Sequence, residues 1–151
     1  MSVSGSLNGA VRRVPAWPLY LLGAAWMAWQ FWLALTGQGK YGVEPINVLE
    51  REYGLDALIL LVAGLAITPL RTWAGVNLIK FRRSVGLLAF FFVLAHFLVF
   101  ALLDVQTLGR VVTEVVKRPY VTVGFIAFLA LIPLALTSNN WSIRRMGPVR
   151  W

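Results

Sequence analysis

Four apolar runs, each close to the length of a bilayer-crossing helix, constrain this chain more than any other feature. They are Trp17–Leu35, Leu55–Leu70, Ser84–Leu103 and Tyr120–Leu136. A helix rises about 1.5 Å per residue and the hydrocarbon core is about 30 Å thick, so ~20 apolar residues cross it. The second run is the shortest and closes on Pro69 and Arg71. A core strand would be far shorter, and polar and apolar residues do not alternate, so the runs predict helices. Composition agrees. With 59% of residues hydrophobic and 13% charged, there are too few polar side chains to clothe a water-soluble domain of this size. The expected fold is all-α: a polytopic membrane helix bundle of four transmembrane helices, with residues 1–151 forming one domain. No internal repeat or low-complexity linker interrupts it.

The formal net charge of +8 would suit a nucleic acid if it formed one patch. It does not: the cations sit in short segments between the runs, so the expected partner is the lipid bilayer and not a nucleic acid. Arg12 and Arg13 precede the first run as in a signal peptide. That run is too long and too rich in tryptophan, and no clear small-x-small site follows, so it reads as a retained span. Nine of the 14 cations fall in three segments: Arg12 and Arg13, then Arg71, Lys80, Arg82 and Arg83, then Arg144, Arg145 and Arg150. These predict the cytoplasmic side, with both termini inside. Lys40, Arg51, Arg110, Lys117 and Arg118 then face outward with the acids, Asp56 and Asp104 being placed at helix edges. Trp17, Trp73, Tyr120 and Trp141 stand at run ends as interfacial anchors. Trp26, Trp29 and Trp32 recur at every third residue, as lipid or helix contacts would. No cysteine is present, which excludes disulfides, iron–sulfur clusters, thiolate-ligated haem and covalent c-type haem.

The third run carries the chain's one histidine, His96. It lies 12 residues after Ser84, about 18 Å along the helix and just past the bilayer midplane. An ionisable side chain at that depth is a candidate functional residue. Three readings are open. His96 could be a structural hydrogen-bonding group between helices. It could be a proton-relay residue, although no Asp or Glu lies inside a run. Or its imidazole could be an axial ligand to haem iron in a b-type centre. Around it stand Phe92, Val93, Val99 and Phe100, with Ala89 and Ala95 nearby, a mixture of bulk and gaps that suits a flat macrocycle or lipid. A six-coordinate haem needs a second ligand, and Met1, Met27 and Met146 are poorly placed for it.

The order of motifs is more specific than any one of them. "ITPLR" (67–71) closes the second run, "KFRRSVGL" (80–87) opens the third, and His96 follows. "RPYVTVG" (118–124) opens the fourth and "PLALTSNNWSIRRMGPVRW" (133–151) follows it. In this order the chain resembles the MsrQ (YedZ) family, the haem-binding membrane subunits of periplasmic protein-methionine-sulfoxide reductase systems, within the ferric-reductase-like transmembrane superfamily. The resemblance covers about Trp17 to Trp151 and is looser over "GVEPINVLEREYGLDAL". It implies an electron-transfer subunit of the bacterial inner membrane, as opposed to the catalytic subunit. Electrons from quinone or a cytosolic flavin reductase would pass through haem b, with FMN as a further cofactor, to a periplasmic molybdopterin partner that reduces methionine sulfoxide in oxidised proteins. The resemblance makes His96 a haem b axial ligand. The family has six membrane helices, with its other haem histidines on the fifth, beyond the position of Trp151. The chain is therefore expected to be C-terminally truncated and to hold one ligand of the pair.

Other features carry blander expectations. Arg110, Lys117 and Arg118 read as snorkelling cations, with haem propionates or an acidic partner as the other choice. Arg82 and Arg83 read as topology anchors, being about 20 Å from His96 along the helix. Pro69 and Pro133 read as a run-end stop and a packing kink. Asn139 and Asn140 read as a helix end. No phosphate-binding, zinc or nucleophile motif is present. Two rival functions stay open: a multi-pass transport or scaffold subunit without a redox centre, and a ferric or cupric reductase fragment.

Overall fold

The structure is a computed structural model that describes residues 14–138. Arg12, Arg13, Asn139, Asn140, Trp141, Arg144, Arg145 and Arg150 lie outside the described residues, as do Met1 and Met146. Five helices follow in order: α1 (Trp17–Thr36), α2 (Pro45–Ala74), α3 (Ile79–Leu98), α4 (Leu108–Lys117) and α5 (Pro119–Thr137). A 3-10 turn, Gly39–Tyr41, precedes α2, and α3 runs on into a π-helical turn, Val99–Asp104. Among the described residues there is no strand, and four helical segments are long and apolar enough to cross a membrane: α1, α2, α3 with its π turn, and α5. The protein is a multi-pass, all-α membrane bundle. Many large apolar side chains point outward, such as Leu65, Val62 and Ile126, as bilayer-facing residues do.

Backbone chemistry sets the helix ends. α1, α2 and α5 each begin with a proline in the first turn, where its missing N–H has no intrahelical acceptor to lose. Gly37 and Gly75 terminate α1 and α2 in the left-handed region, at φ 63° and 67°, which a side chain would oppose. The second run was expected to start at Leu55 and stop near Pro69. Instead α2 has 30 residues and carries Pro69 inside it. Leu49, Tyr53 and Ala57 explain the extension. They recur every fourth residue and are all buried, so one apolar stripe carries the polar "VLEREYG" stretch into helical packing.

α3 is the central element, packed on α2 and touching α1 and α5. The core lies on the α2–α3 seam, where Leu49, Tyr53 and Ala57 meet Phe92 and Val99, with Tyr41 of the 3-10 turn closing one end. Phe92 meets the Tyr53 ring edge to face at 6.0 Å between centroids, a favoured aromatic geometry. The Tyr53 hydroxyl donates to the Met27 carbonyl of α1 at 2.9 Å. α1 comes close to α3 at Gly23, where a Cβ would stand 2.4 Å from a Leu88 methyl.

The longer α2 corrects the placement of Asp56. Expected at a helix edge, it lies eleven residues inside α2, about 17 Å from its start. Asp56 Oδ2 accepts from Trp26 Nε1 at 2.9 Å and Gln30 Nε2 at 2.8 Å. Trp26 thus uses its indole N–H on a neighbouring helix, while its ring is exposed. Gln30 is almost fully buried, and its Oε1 has no partner among the described residues.

Candidate functional site around His96

Between α2, α3 and α5 lies an apolar cavity of about 230 Å³ with His96 in its wall. α2 contributes Gly54, Ala57, Leu58 and Leu61. From α3 come Val93 and Phe97, and from the π turn that follows it Phe100, on the face that carries His96. α5 closes the far side with Gly124, Phe125, Ala127 and Phe128. Phe97 stacks on Phe128 at 5.2 Å and packs against Phe125 at 5.7 Å. The walls therefore combine small residues, branched aliphatic side chains and aromatic rings.

The histidine is held by main chain. His96 Nδ1 lies 2.7 Å from the carbonyl oxygen of Glu50, one turn before Gly54 on α2. A carbonyl only accepts, so Nδ1 carries the proton and donates, and in the neutral ring the lone pair then falls on Nε2. Gly54 makes this approach possible: a Cβ there would sit 3.1 Å from Nδ1 and 3.3 Å from Cε1. His96 is eight residues before Asp104, about 12 Å from that end of its span and about 26 Å from the Ile79 end. It therefore lies off centre, towards the end that carries α4.

An imidazole in an otherwise apolar wall would suit one face of a flat macrocycle. His96 lines an apolar cavity, and its Nδ1 has the kind of outer hydrogen bond that orients metal-ligating histidines. Among the described residues no group of three His, Cys, Asp or Glu side chains could hold a free metal ion. Met27 lines a different groove, with Gly23 and Leu88 between α1 and α3, and does not reach His96.

Not every expected neighbour faces the site. Val93 and Phe100 line the cavity, whereas Phe92, Val99 and Ala89 are buried elsewhere and Ala95 faces the α1 groove. The expected set missed Phe97 and every contribution of α2 and α5. The signal for Gly54 was a glycine inside a helix, which is costly unless something approaches closely. Asp56 bonds to α1, not to His96. Arg118 is engaged locally with Glu114 at 2.9 Å and the Tyr120 hydroxyl at 3.3 Å. At the same end of the bundle, Lys40 pairs with Glu52 at 2.7 Å, and this bond holds its ammonium pKa above the usual value. Burial likewise raises the Tyr41 phenol.

Comparison with known proteins places this architecture. Residues 53–151 match the ferric reductase like transmembrane component family, and the chain belongs to that family. It is similar to the protein-methionine-sulfoxide reductase heme-binding subunits MsrQ of Brucella ovis, Brucella canis and Brucella suis. Identity to each is 44% over 136 residues, covering 89% of this chain and 60% of the relative. The chain thus spans less than two thirds of the length of these curated relatives. No solved structure matches it.

Proposed function

We propose that the chain is part of a haem b-containing electron-transfer subunit of the bacterial inner membrane, with His96 Nε2 as one axial ligand of the haem iron. The observation that carries this reading is the 2.7 Å bond from His96 Nδ1 to the Glu50 carbonyl, which frees the other ring nitrogen in an apolar cavity. Bound haem supplies one-electron exchange. The chain's own residues do the rest. Glu50 and Gly54 fix the imidazole, while Phe97, Phe125 and Phe128 exclude water. The names of the Brucella relatives support a haem-binding role beside a methionine sulfoxide reductase.

The same reading places both termini in the cytoplasm and the His96 end of the bundle outward. Quinone or a cytosolic flavin reductase would be the donor. A periplasmic molybdopterin subunit that reduces methionine sulfoxide would be the acceptor. FMN rests on the family resemblance alone. The family's ferric reductase description keeps a second acceptor class in view, and reduction of a ferric chelate without any partner protein would favour it.

The test is a dithionite-reduced minus oxidised visible spectrum of the detergent-purified chain supplied with haem, beside His96→Ala. A b-type difference spectrum that disappears in the variant is expected. If the chain and a version extended through a fifth membrane helix are both colourless, the electron-transfer reading is wrong.

A further inference from the structure

The sequence pattern gave no helix between the third and fourth runs, yet α4 forms there, and its three sides differ. Successive residues turn about 100° around a helix axis. Starting from Val111, Val115 lies at about 40°, Val112 at about 100° and Val116 at about 140°. Arg110, Thr113, Glu114 and Lys117 fill the arc from about 200° to 300°. Val111 is buried and Val115 lines the His96 cavity. The Val115 carbonyl also accepts a hydrogen bond from the Thr122 hydroxyl of α5. One side of α4 is therefore against the bundle. Val112 and Val116, next around the axis, are 64% and 75% exposed. The third side is polar throughout.

Connectivity fixes the depth of this helix. α4 starts four residues after the span that ends at Asp104 and stops two residues before the span that starts at Pro119. Its ten residues include Arg110, Glu114 and Lys117, too short and too charged to cross hydrocarbon. It must lie at the end of the bundle, where protein, lipid and water meet. We infer that α4 is a membrane-interface helix, seated by Val112 and Val116 in the outer edge of the acyl layer, with Arg110 and Lys117 at headgroup level. The occupant of the bare valine side is the bilayer. Two cations on the polar side, above an apolar strip, match anionic headgroups above acyl chains. Val115 then makes this lipid-seated helix a wall of the His96 cavity. The inference stands on α4 itself and does not depend on haem.

The absence of cysteine allows single nitroxide labels without background. Val112→Cys, Val116→Cys and Thr113→Cys variants of the whole chain would be labelled and reconstituted in phosphatidylethanolamine–phosphatidylglycerol vesicles. Power-saturation would compare collisions with oxygen, which concentrates in lipid, and with a water-soluble nickel chelate. Labels at 112 and 116 are expected to favour oxygen and the label at 113 to favour nickel. Nickel preference at 112 and 116 would overturn the inference. Shielding of both from both reagents would overturn it too, in favour of a protein covering the valines. Exposed positions tolerate the label, and unchanged circular dichroism would confirm that each variant is folded.

Discussion

Replacing Gly54 with alanine should push folding and cofactor affinity in opposite directions. In the middle of a helix, glycine is about 0.5–1 kcal/mol less favourable than alanine, so backbone preference alone makes Gly54→Ala stabilising. The new Cβ, however, would stand 3.1 Å from His96 Nδ1 and 3.3 Å from Cε1. Ordinary contact lies at about 3.5–4.0 Å, so the ring must retreat from α2 by roughly 0.4 Å. Retreat stretches the 2.7 Å bond to the Glu50 carbonyl towards the weak end of the normal range, near about 3.2 Å. A bond of this kind contributes about 0.5–1.5 kcal/mol, so its weakening lowers haem affinity by at most roughly 2- to 13-fold. The assay pairs haem titration with thermal unfolding of the haem-free chain in the same detergent. Expected is weaker haem binding by the variant at equal or higher melting temperature. Affinity equal to the wild type would refute the idea that Gly54 seats the histidine.

Three further outcomes follow from the packing. Gly124 lines the cavity and has open space around its Cα. Gly124→Leu should therefore fill the site and remove the haem spectrum while helicity by circular dichroism is unchanged. Asp56→Leu should destabilise the bundle by about 2–3 kcal/mol, because buried Gln30 loses its acceptor, whereas Asp56→Asn keeps an oxygen and should cost less than about 1 kcal/mol. Denaturant unfolding in detergent separates the two. Gly23→Leu should drive Leu88 out of place at about 1–3 kcal/mol, and adding Leu88→Ala should recover much of that loss in the same assay.

Much of the architecture was legible because membrane helices announce themselves by length and hydropathy. That four helices are long and apolar enough to span a membrane was readable from the runs alone. Polar stretches were read less well. "VLEREYG" looked like loop because hydropathy averages over a turn, whereas Leu49, Tyr53 and Ala57 needed only one stripe to join the helix. α4 was missed for the same reason: its valines are interleaved with charges, so no run exists, though a 3.6-residue period does. His96 was visible as a polar residue in an apolar span. Its setting was not, because Gly54, Phe97 and Phe128 meet only through the packing of three helices, which no local pattern encodes.

The hold on His96 has a consequence for how this site can be found by genetics. Its acceptor is the peptide oxygen of residue 50, which every amino acid supplies. The Glu50 side chain can be exchanged without touching that oxygen, so a scan of single substitutions will score the direct partner as silent. The signal will appear four residues later, at Gly54, whose contribution is the absence of atoms. A mutational map of this region would therefore mark an empty position as essential and pass over the group that makes the bond.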